Sequence, residues 1–259
     1  MTLEMEVSAS LSADGRVLDL EFYRDKGNVL TGDVMQRIEA ALAEHRDRAS
    51  LKMVLLHGRG KHFSFGASVE EHRKAAAPGM LAGFHKLCRC VAAYPVPVVA
   101  AVSGRCLGGA FELALCAHFV IAERTAVFAC PEIKLGVFPP VLAALGPMRL
   151  GSAVADDLLL TGRELNAERA LALGFVTELA GDAGAVPAAQ AWYERALAPL
   201  SAFSLRQGVR VVRRAVVQQL GTPLDEAERR YVDELLESAD ANEGIEAFIA
   251  RREPAWLDR

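Results

Sequence analysis

The spacing of apolar positions changes several times along the chain. Residues 17–23 read VLDLEFY, an alternation of period two that predicts a strand entered through the Asp14-Gly15 turn. From Thr31 the apolar Val34, Ile38 and Leu42 fall four apart, which is one face of a helix. Residues 53–56 form a short apolar strand closed by His57-Gly58-Arg59-Gly60, and a loop runs on to Ser68. A second helix is predicted over 78–93. It stops at Tyr94-Pro95, because proline disfavours helical geometry in the residue before it. Residues 96–102 are an apolar, β-branched run, the pattern of a fully buried strand. The turn Ser103-Gly104-Arg105-Cys106-Leu107-Gly108-Gly109 leads from it into a helix bearing Glu112 and Leu115. Strands are predicted at 119–122 and 126–130. Beyond Pro131 the pattern is mainly helical, interrupted at Gly162 and by a short strand at 175–179.

From about Ser201 long amphipathic helices rich in Arg and Glu take over, at 205–220, 224–239 and 242–252. Two regions are therefore expected, an α/β core over 1–199 and a helical region over 200–259. The latter is too small for a confident core of its own and is expected to pack on the main body or on a neighbouring subunit. With 259 residues and 52% hydrophobic content the chain can fill a sizeable core, which excludes disorder as its main state. A formal charge of −4 argues against a nucleic-acid surface, which needs a concentrated basic face. No apolar run approaches the ~18–20 residues of a membrane span. The opening MTLEMEVSAS has acids where a signal peptide would carry Lys or Arg, and the five cysteines form no CxxC pair. The expectation is a soluble, cytoplasmic protein with reduced thiols and no membrane partner.

Two stretches place glycines where a backbone N–H can face a ligand. In the first, residues 62–71, Ser68 and Glu71 have the spacing of a capping box, which predicts a helix start just after Ala67. The Ala67 N–H would then face a cavity, aided by the helix dipole. An ordinary loop before a capped helix reads the same segment equally simply. In the second, a strand passes through Gly104-x-x-x-Gly108-Gly109 into a helix, and adjacent glycines there let backbone approach a ligand closely. This is neither a Rossmann fingerprint nor a P-loop, and tight strand–helix packing would also need it. Glu112 lies in the first turn of an otherwise apolar helix, where a carboxylate must be paired, capped or functional. Glu132 follows Pro131 directly after a strand. Taken together, the two glutamates read as a general acid/base pair. His57, His62, His72 and His85 show no metal-ligand spacing and are assigned surface roles.

At these residues the sequence resembles the crotonase (enoyl-CoA hydratase/isomerase) superfamily, over nearly the whole chain. The matching segments are Lys61-x-Phe63-x-x-Gly66-Ala67, Gly108-Gly109-Ala110-Phe111-Glu112, Phe128-x-x-Pro131-Glu132-Ile133-x-Leu135-Gly136 and Glu243-Gly244-Ile245-x-Ala247-Phe248. The resemblance implies a spiral of β-β-α turns followed by a C-terminal helical region used in trimerisation, with trimers commonly pairing into hexamers. It also implies an oxyanion hole from the Ala67 and Gly109 amides, and Glu112 and Glu132 as the two catalytic glutamates. The acyl-CoA would be held by Lys26, Asn28, Val29, Lys61, Gly66, Val69, Gly108, Leu135 and Gly136. CoA is then part of the substrate, and no metal or redox cofactor is implied.

Three positions depart from the ordinary hydratases. Ser68 replaces an aspartate, Glu70 stands where lysine is common, and Val137-Phe138-Pro139-Pro140 replaces a glycine-rich turn. Residues 63–72 and 135–140 are most similar to the branch that hydrates cyclohexa-1,5-diene-1-carbonyl-CoA in anaerobic aromatic degradation. The stiff turn at 138–140 is expected to close the pocket to long linear chains and to present an apolar wall to a ring. An ordinary short-chain enoyl-CoA hydratase is the second reading. A non-catalytic scaffold or RNA binder of the same fold is a third, opposed by the presence of both glutamates and the lack of a basic run.

Overall fold

A computed structural model describes residues 6–259, apart from the side chain of Lys26. In chain order the strands are β1 (Val7–Leu11), β2 (Val17–Phe22), β3 (Met53–Gly58), β4 (Val98–Val102), β5 (Arg105–Leu107), β6 (Phe119–Glu123), β7 (Val127–Ala129), β8 (Leu165–Asn166) and β9 (Glu178–Ala180). A six-stranded sheet has the order β1-β2-β3-β4-β6-β9, and β5, β7 and β8 make a second, three-stranded one. Only β1 is antiparallel to its neighbour in the large sheet; β2 through β9 run parallel there. A parallel sheet needs cover on both faces, and β3 and β4 read as unbroken apolar runs for that reason. Alternate residues split between two clusters. Val54, Leu56, Ala100 and Val102 enter the main core, while Met53, Leu55, Val99 and Ala101 pack with Ala185, Ala189 and Tyr193 on the opposite face.

The helices are α1 (Gly32–His45), α2 (Ala77–Ala92), α3 (Gly109–Cys116), α4 (Pro140–Leu150), α5 (Ser152–Thr161), α6 (Ala167–Ala172), α7 (Ala185–Ala196), α8 (Ala202–Val212), α9 (Arg214–Gln219), α10 (Thr222–Asp233) and α11 (Ala239–Ile249). Thr31 caps α1, its side chain accepting from the Val34 N–H, and Val34, Ile38 and Leu42 are buried as their spacing requires. Every residue of α3 is buried, so it serves as the central helix rather than a surface one. Among the described residues no helix is long and apolar enough to cross a membrane.

Four expectations shift. β1 escapes the sequence reading because it is a half-exposed edge strand interrupted by Ser8 and Ser10. β5 was read as turn, yet its three residues pair with β7. The strand expected at 175–179 begins only at Glu178, because the N–H groups of Phe175 and Val176 turn back to the Ala170 carbonyl after α6. The helix expected over 205–220 is two helices joined at Arg213, whose side chain turns into the core. The C-terminal helices lie on the main body. α10 packs on α4 and α2 with Leu224 and Tyr231 buried, and α11 packs on the 3-10 turn Pro131–Leu135. Ion pairs Arg73–Glu246 and Lys74–Glu237, each 2.7 Å, tie this layer to the segment after Ala67.

Candidate active site

The site is built around the start of α3. Gly108 has φ +53° and ψ −132°, a conformation open to glycine and costly for other residues. It ends β5 by donating to the Ala129 carbonyl at 2.7 Å. A Cβ at Gly108 would lie 2.6 Å from Glu132 Oε1, so the glycine makes room for that carboxylate. Gly109 is the first residue of α3, and its N–H has no acceptor within the helix.

The second amide comes from the loop after β3. Gly66, at φ +94°, is held by its own N–H on Ser64 Oγ (3.0 Å) and by its carbonyl, which accepts from Leu30 N–H (2.9 Å). A Cβ at Gly66 would lie 3.2 Å from the Gly109 nitrogen, and one at Gly109 would lie 3.5 Å from the Ala67 nitrogen. The Ala67 and Gly109 amides are therefore close neighbours. Among the described residues neither N–H has an acceptor. Two open donors at one point are what an anionic oxygen requires.

Glu112, one turn into α3, is 3% exposed, and its Oε1 accepts from the Leu142 N–H at 2.8 Å. Burial pushes its carboxyl well above the ordinary glutamate range, against the downward pull of that bond and of the Val141 N–H. Glu132 sits in the 3-10 turn Pro131–Leu135. Burial raises its carboxyl as well, and the negative charge of Glu112 raises it further. Glu132 Oε2 is buried without a partner among the described residues. The two carboxyls thus titrate as a pair, and near neutral pH one can hold a proton while the other accepts one.

These groups share a cavity of about 70 Å³ lined by Ala67, Val69, Gly108, Gly109, Glu112, Glu132 and Leu135. Phe138, Pro139 and Pro140 form part of its wall, as the sequence implied, together with Phe65, Phe84 and Leu81. Two polar lining residues, His72 and Tyr231, were not read from the sequence as site residues. His72 was placed at the surface, but it is half-buried; its Nδ1 donates to the Ser68 carbonyl at 2.7 Å and burial lowers its pKa. Tyr231 of α10 is 1% exposed and its hydroxyl has no partner among the described residues. Its signal was the seven-residue spacing from Leu224, which puts an aromatic ring with a polar tip on the apolar face of α10.

Other expected residues stand elsewhere. Asn28 is buried, and its Nδ2 donates to the carbonyls of Arg59 (2.9 Å), His62 (2.8 Å) and Phe63 (3.3 Å), so its amide nitrogen braces the loop rather than facing a ligand. Gly136, at φ +72°, closes the 3-10 turn against the Asp240 carbonyl and Trp256, away from the cavity lining. Val29 is half-buried and Lys61 exposed, neither lining the cavity, and the side chain of Lys26 lies outside the described residues. The capping box does not form. Ser68 Oγ donates to Glu70 Oε2 at 3.0 Å, and residues Glu70–His72 make one 3-10 turn, so no helix dipole of consequence stands behind Ala67. His57 and His85 are buried rather than at the surface, paired with Asp19 (2.9 Å) and Glu228 (2.5 Å). His62 is half-buried and accepts from the Arg105 N–H at 3.1 Å. Among the described residues no three His, Cys, Asp or Glu side chains group to hold a metal ion.

Residues 13–259 match the profile of the enoyl-CoA hydratase/isomerase family. A cyclohexa-1,5-dienecarbonyl-CoA hydratase of Thauera aromatica is 40% identical, with 96% of each chain covered. A carnitinyl-CoA dehydratase of Salmonella paratyphi A is 30% identical, over 98% of this chain and 100% of that one. The crystal structure of an enoyl-CoA hydratase from Mycobacterium avium subsp. paratuberculosis superposes with a TM-score of 0.85 at 29% identity, covering 98% and 99%.

Proposed function

The chain belongs to the enoyl-CoA hydratase/isomerase family and is an acyl-CoA hydro-lyase, and from that premise we propose that its substrate is the cyclic thioester cyclohexa-1,5-diene-1-carbonyl-CoA, hydrated in anaerobic aromatic degradation. The observation that carries the hydration step is the meeting of two open amide donors and two buried carboxyls in one cavity. The Ala67 and Gly109 N–H groups take the thioester oxygen, whose charge grows as water adds to the conjugated system. Losing one such donor costs ~10²–10³ in rate. Water stands between Glu112 and Glu132. One carboxylate takes its proton as the oxygen bonds to the β-carbon, and the other carboxyl delivers a proton to carbon. In a cyclic diene the resulting dienolate extends across the ring, and protonation at its far end gives net 1,4-addition. This needs an acid set farther from the thioester than in a linear substrate.

The ring enters the proposal through the wall Phe138-Pro139-Pro140, which lines the cavity beside Glu132. Two prolines fix φ at successive positions, and the relative that shares most of this chain's length at 40% identity is named for the cyclic substrate. Lys61 remains the candidate for a CoA phosphate contact, and the proposal carries no metal or redox cofactor. Phe203, Val211 and Val212, each more than 70% exposed on α8, support a homotrimer or hexamer, which light scattering would measure.

The test is kcat/KM on the cyclic dienoyl thioester against crotonyl-CoA, because that ratio reports differential transition-state binding. The proposal expects the cyclic substrate to be favoured by at least about tenfold, roughly the worth of one pocket contact. It also expects Phe138→Gly/Pro139→Gly/Pro140→Gly to shift the ratio toward the linear one. A wild-type preference for crotonyl-CoA would return the protein to the short-chain hydratases.

A further inference from the structure

Tyr231 is a polar group in the cavity that the two-glutamate scheme leaves unused. Its ring is fixed by Phe138, whose ring meets it edge-on with centroids 5.5 Å apart. It lines the same cavity as Glu112 and Glu132. Burial, with the charges of Glu132 and Glu112, holds its phenol protonated well above the ordinary tyrosine range, so near neutral pH it stays a neutral hydroxyl able to donate a hydrogen bond. Yet the hydroxyl has no acceptor among the described residues. A buried hydroxyl left unpaired is costly, and buried tyrosines normally have a partner. Glu132, which lines the same cavity, carries the complementary orphan: Oε2, a buried acceptor without a donor.

One oxygen placed between the two satisfies both. We propose that Tyr231 is a third catalytic residue, donating a hydrogen bond to the oxygen that is added to the substrate while Glu132 Oε2 accepts a hydrogen bond from that same oxygen. Before reaction the oxygen is that of the attacking water, which carries two protons, one directed at Glu132. Glu112 takes the other proton, and after reaction the oxygen is the hydroxyl of the product, its remaining proton still directed at Glu132 Oε2 once that carboxyl has delivered its own proton to carbon. In neither state is a proton taken from Tyr231. The group recognised is thus a hydroxyl on the carbon that water attacks. The ligand class is a hydroxylated acyl thioester, distinguished from the same acyl thioester without the hydroxyl. The placement also couples substrate shape to water position, because Phe138, part of the cavity wall proposed to meet the ring, is the side chain that packs on Tyr231.

The inference rests on the hydratase reading, and the experiment separates the two. Tyr231→Phe keeps the ring and removes only the hydroxyl. Its kcat on the preferred enoyl thioester is expected to fall about 10- to 100-fold, the range of a hydrogen bond to a charged or polarised group. The Kd for cyclohexanecarbonyl-CoA, which offers no hydroxyl, should stay within about twofold of wild type. A merely structural role would move both together. A wild type that hydrates neither thioester overturns the hydratase reading and this inference with it. An active wild type whose Tyr231→Phe variant keeps its kcat overturns the inference alone. So does a variant that loses cyclohexanecarbonyl-CoA affinity in step with rate, or one that melts well below wild type, since a hydroxyl with no partner in the fold cannot be holding the fold together.

Discussion

The two ends of α3, a helix of eight residues, both place charged side chains in the protein interior. At the C-terminal end Arg213, 6% exposed, donates through all three of its nitrogens. Nε reaches the Ala92 carbonyl, Nη2 the Cys116 carbonyl and Nη1 the Ala117 carbonyl, and Arg149 Nη2 adds a second bond to Ala117. The cation thus closes the C-termini of α2 and α3, where helix dipoles favour positive charge. Burial lowers its pKa to about 10, which leaves it charged near neutral pH. At the N-terminal end the bonding is incomplete. The Gly109 N–H, Glu132 Oε2 and the Tyr231 hydroxyl all lack partners among the described residues. Burial therefore does not by itself separate structure from chemistry; the state of the hydrogen-bond set does. Arg213, bonded through each of its nitrogens, holds helices together, whereas the groups at the start of α3 leave donors and acceptors open to a substrate.

The largest expected effect that would sharpen this contrast is at the open end. Glu112→Gln and Glu132→Gln should each lower turnover by ~10²–10⁴, the worth of a general acid or base. Neither should weaken the fold. Each carboxyl has a folded-state pKa raised above its unfolded value, so its contribution to stability is lost as pH rises from the ordinary glutamate range through the folded value. The glutamine variants should therefore melt at or above wild type at pH 8 and gain less at pH 5. For the same reason the acid limb of the wild-type kcat/KM profile should lie well above the ordinary glutamate pKa of about 4.3. Either variant keeping its turnover, or unfolding early at pH 8, would break the comparison.

A smaller loss is expected from Gly108→Ala. The new methyl would sit 2.6 Å from Glu132 Oε1 at a residue with φ +53°, so the carboxylate must move. Misplacement on the order of 1 Å costs up to about 10²-fold in rate. Steady-state kinetics should show the loss in kcat, and Gly108→Ala with wild-type kcat would mean that Glu132 needs no fixed position. The smallest change in free energy is expected at the closed end. Arg213→Met leaves the carbonyls of Ala92 and Cys116 without this donor and should cost about 2 kcal/mol of stability by urea unfolding. Its kcat should be near wild type. A variant with an unchanged urea midpoint and a collapsed kcat would reverse the roles of the two ends.

Much of this arrangement is legible in the amino-acid sequence. β2, β3, β4, β6, α1 and α2 follow from local periodicity, because a half-buried strand or an amphipathic helix writes its burial into the spacing of its own residues. Gly108-Gly109 with Glu112, and Pro131-Glu132, stood out because a turn followed by an acid in an apolar context breaks the local pattern. The failures share a cause. β5 and β8 are short and gain their identity only by pairing with β7, and the Ser68-x-x-Glu71 signal lost to a 3-10 turn braced by ion pairs from α11 and the segment before it.

By itself, then, the amino-acid sequence determined the α/β class, the glycine turn at the start of α3, the two glutamates and the stiff turn at 138–140. Each of these depends on a residue and its near neighbours in the chain. Only the tertiary structure decided that Asn28 braces a loop, that the Ala67 and Gly109 amides converge, and that Tyr231 reaches the glutamates from a helix about a hundred residues further on. Whether a buried polar atom is satisfied depends on atoms far away in sequence, and no local pattern of side chains records it.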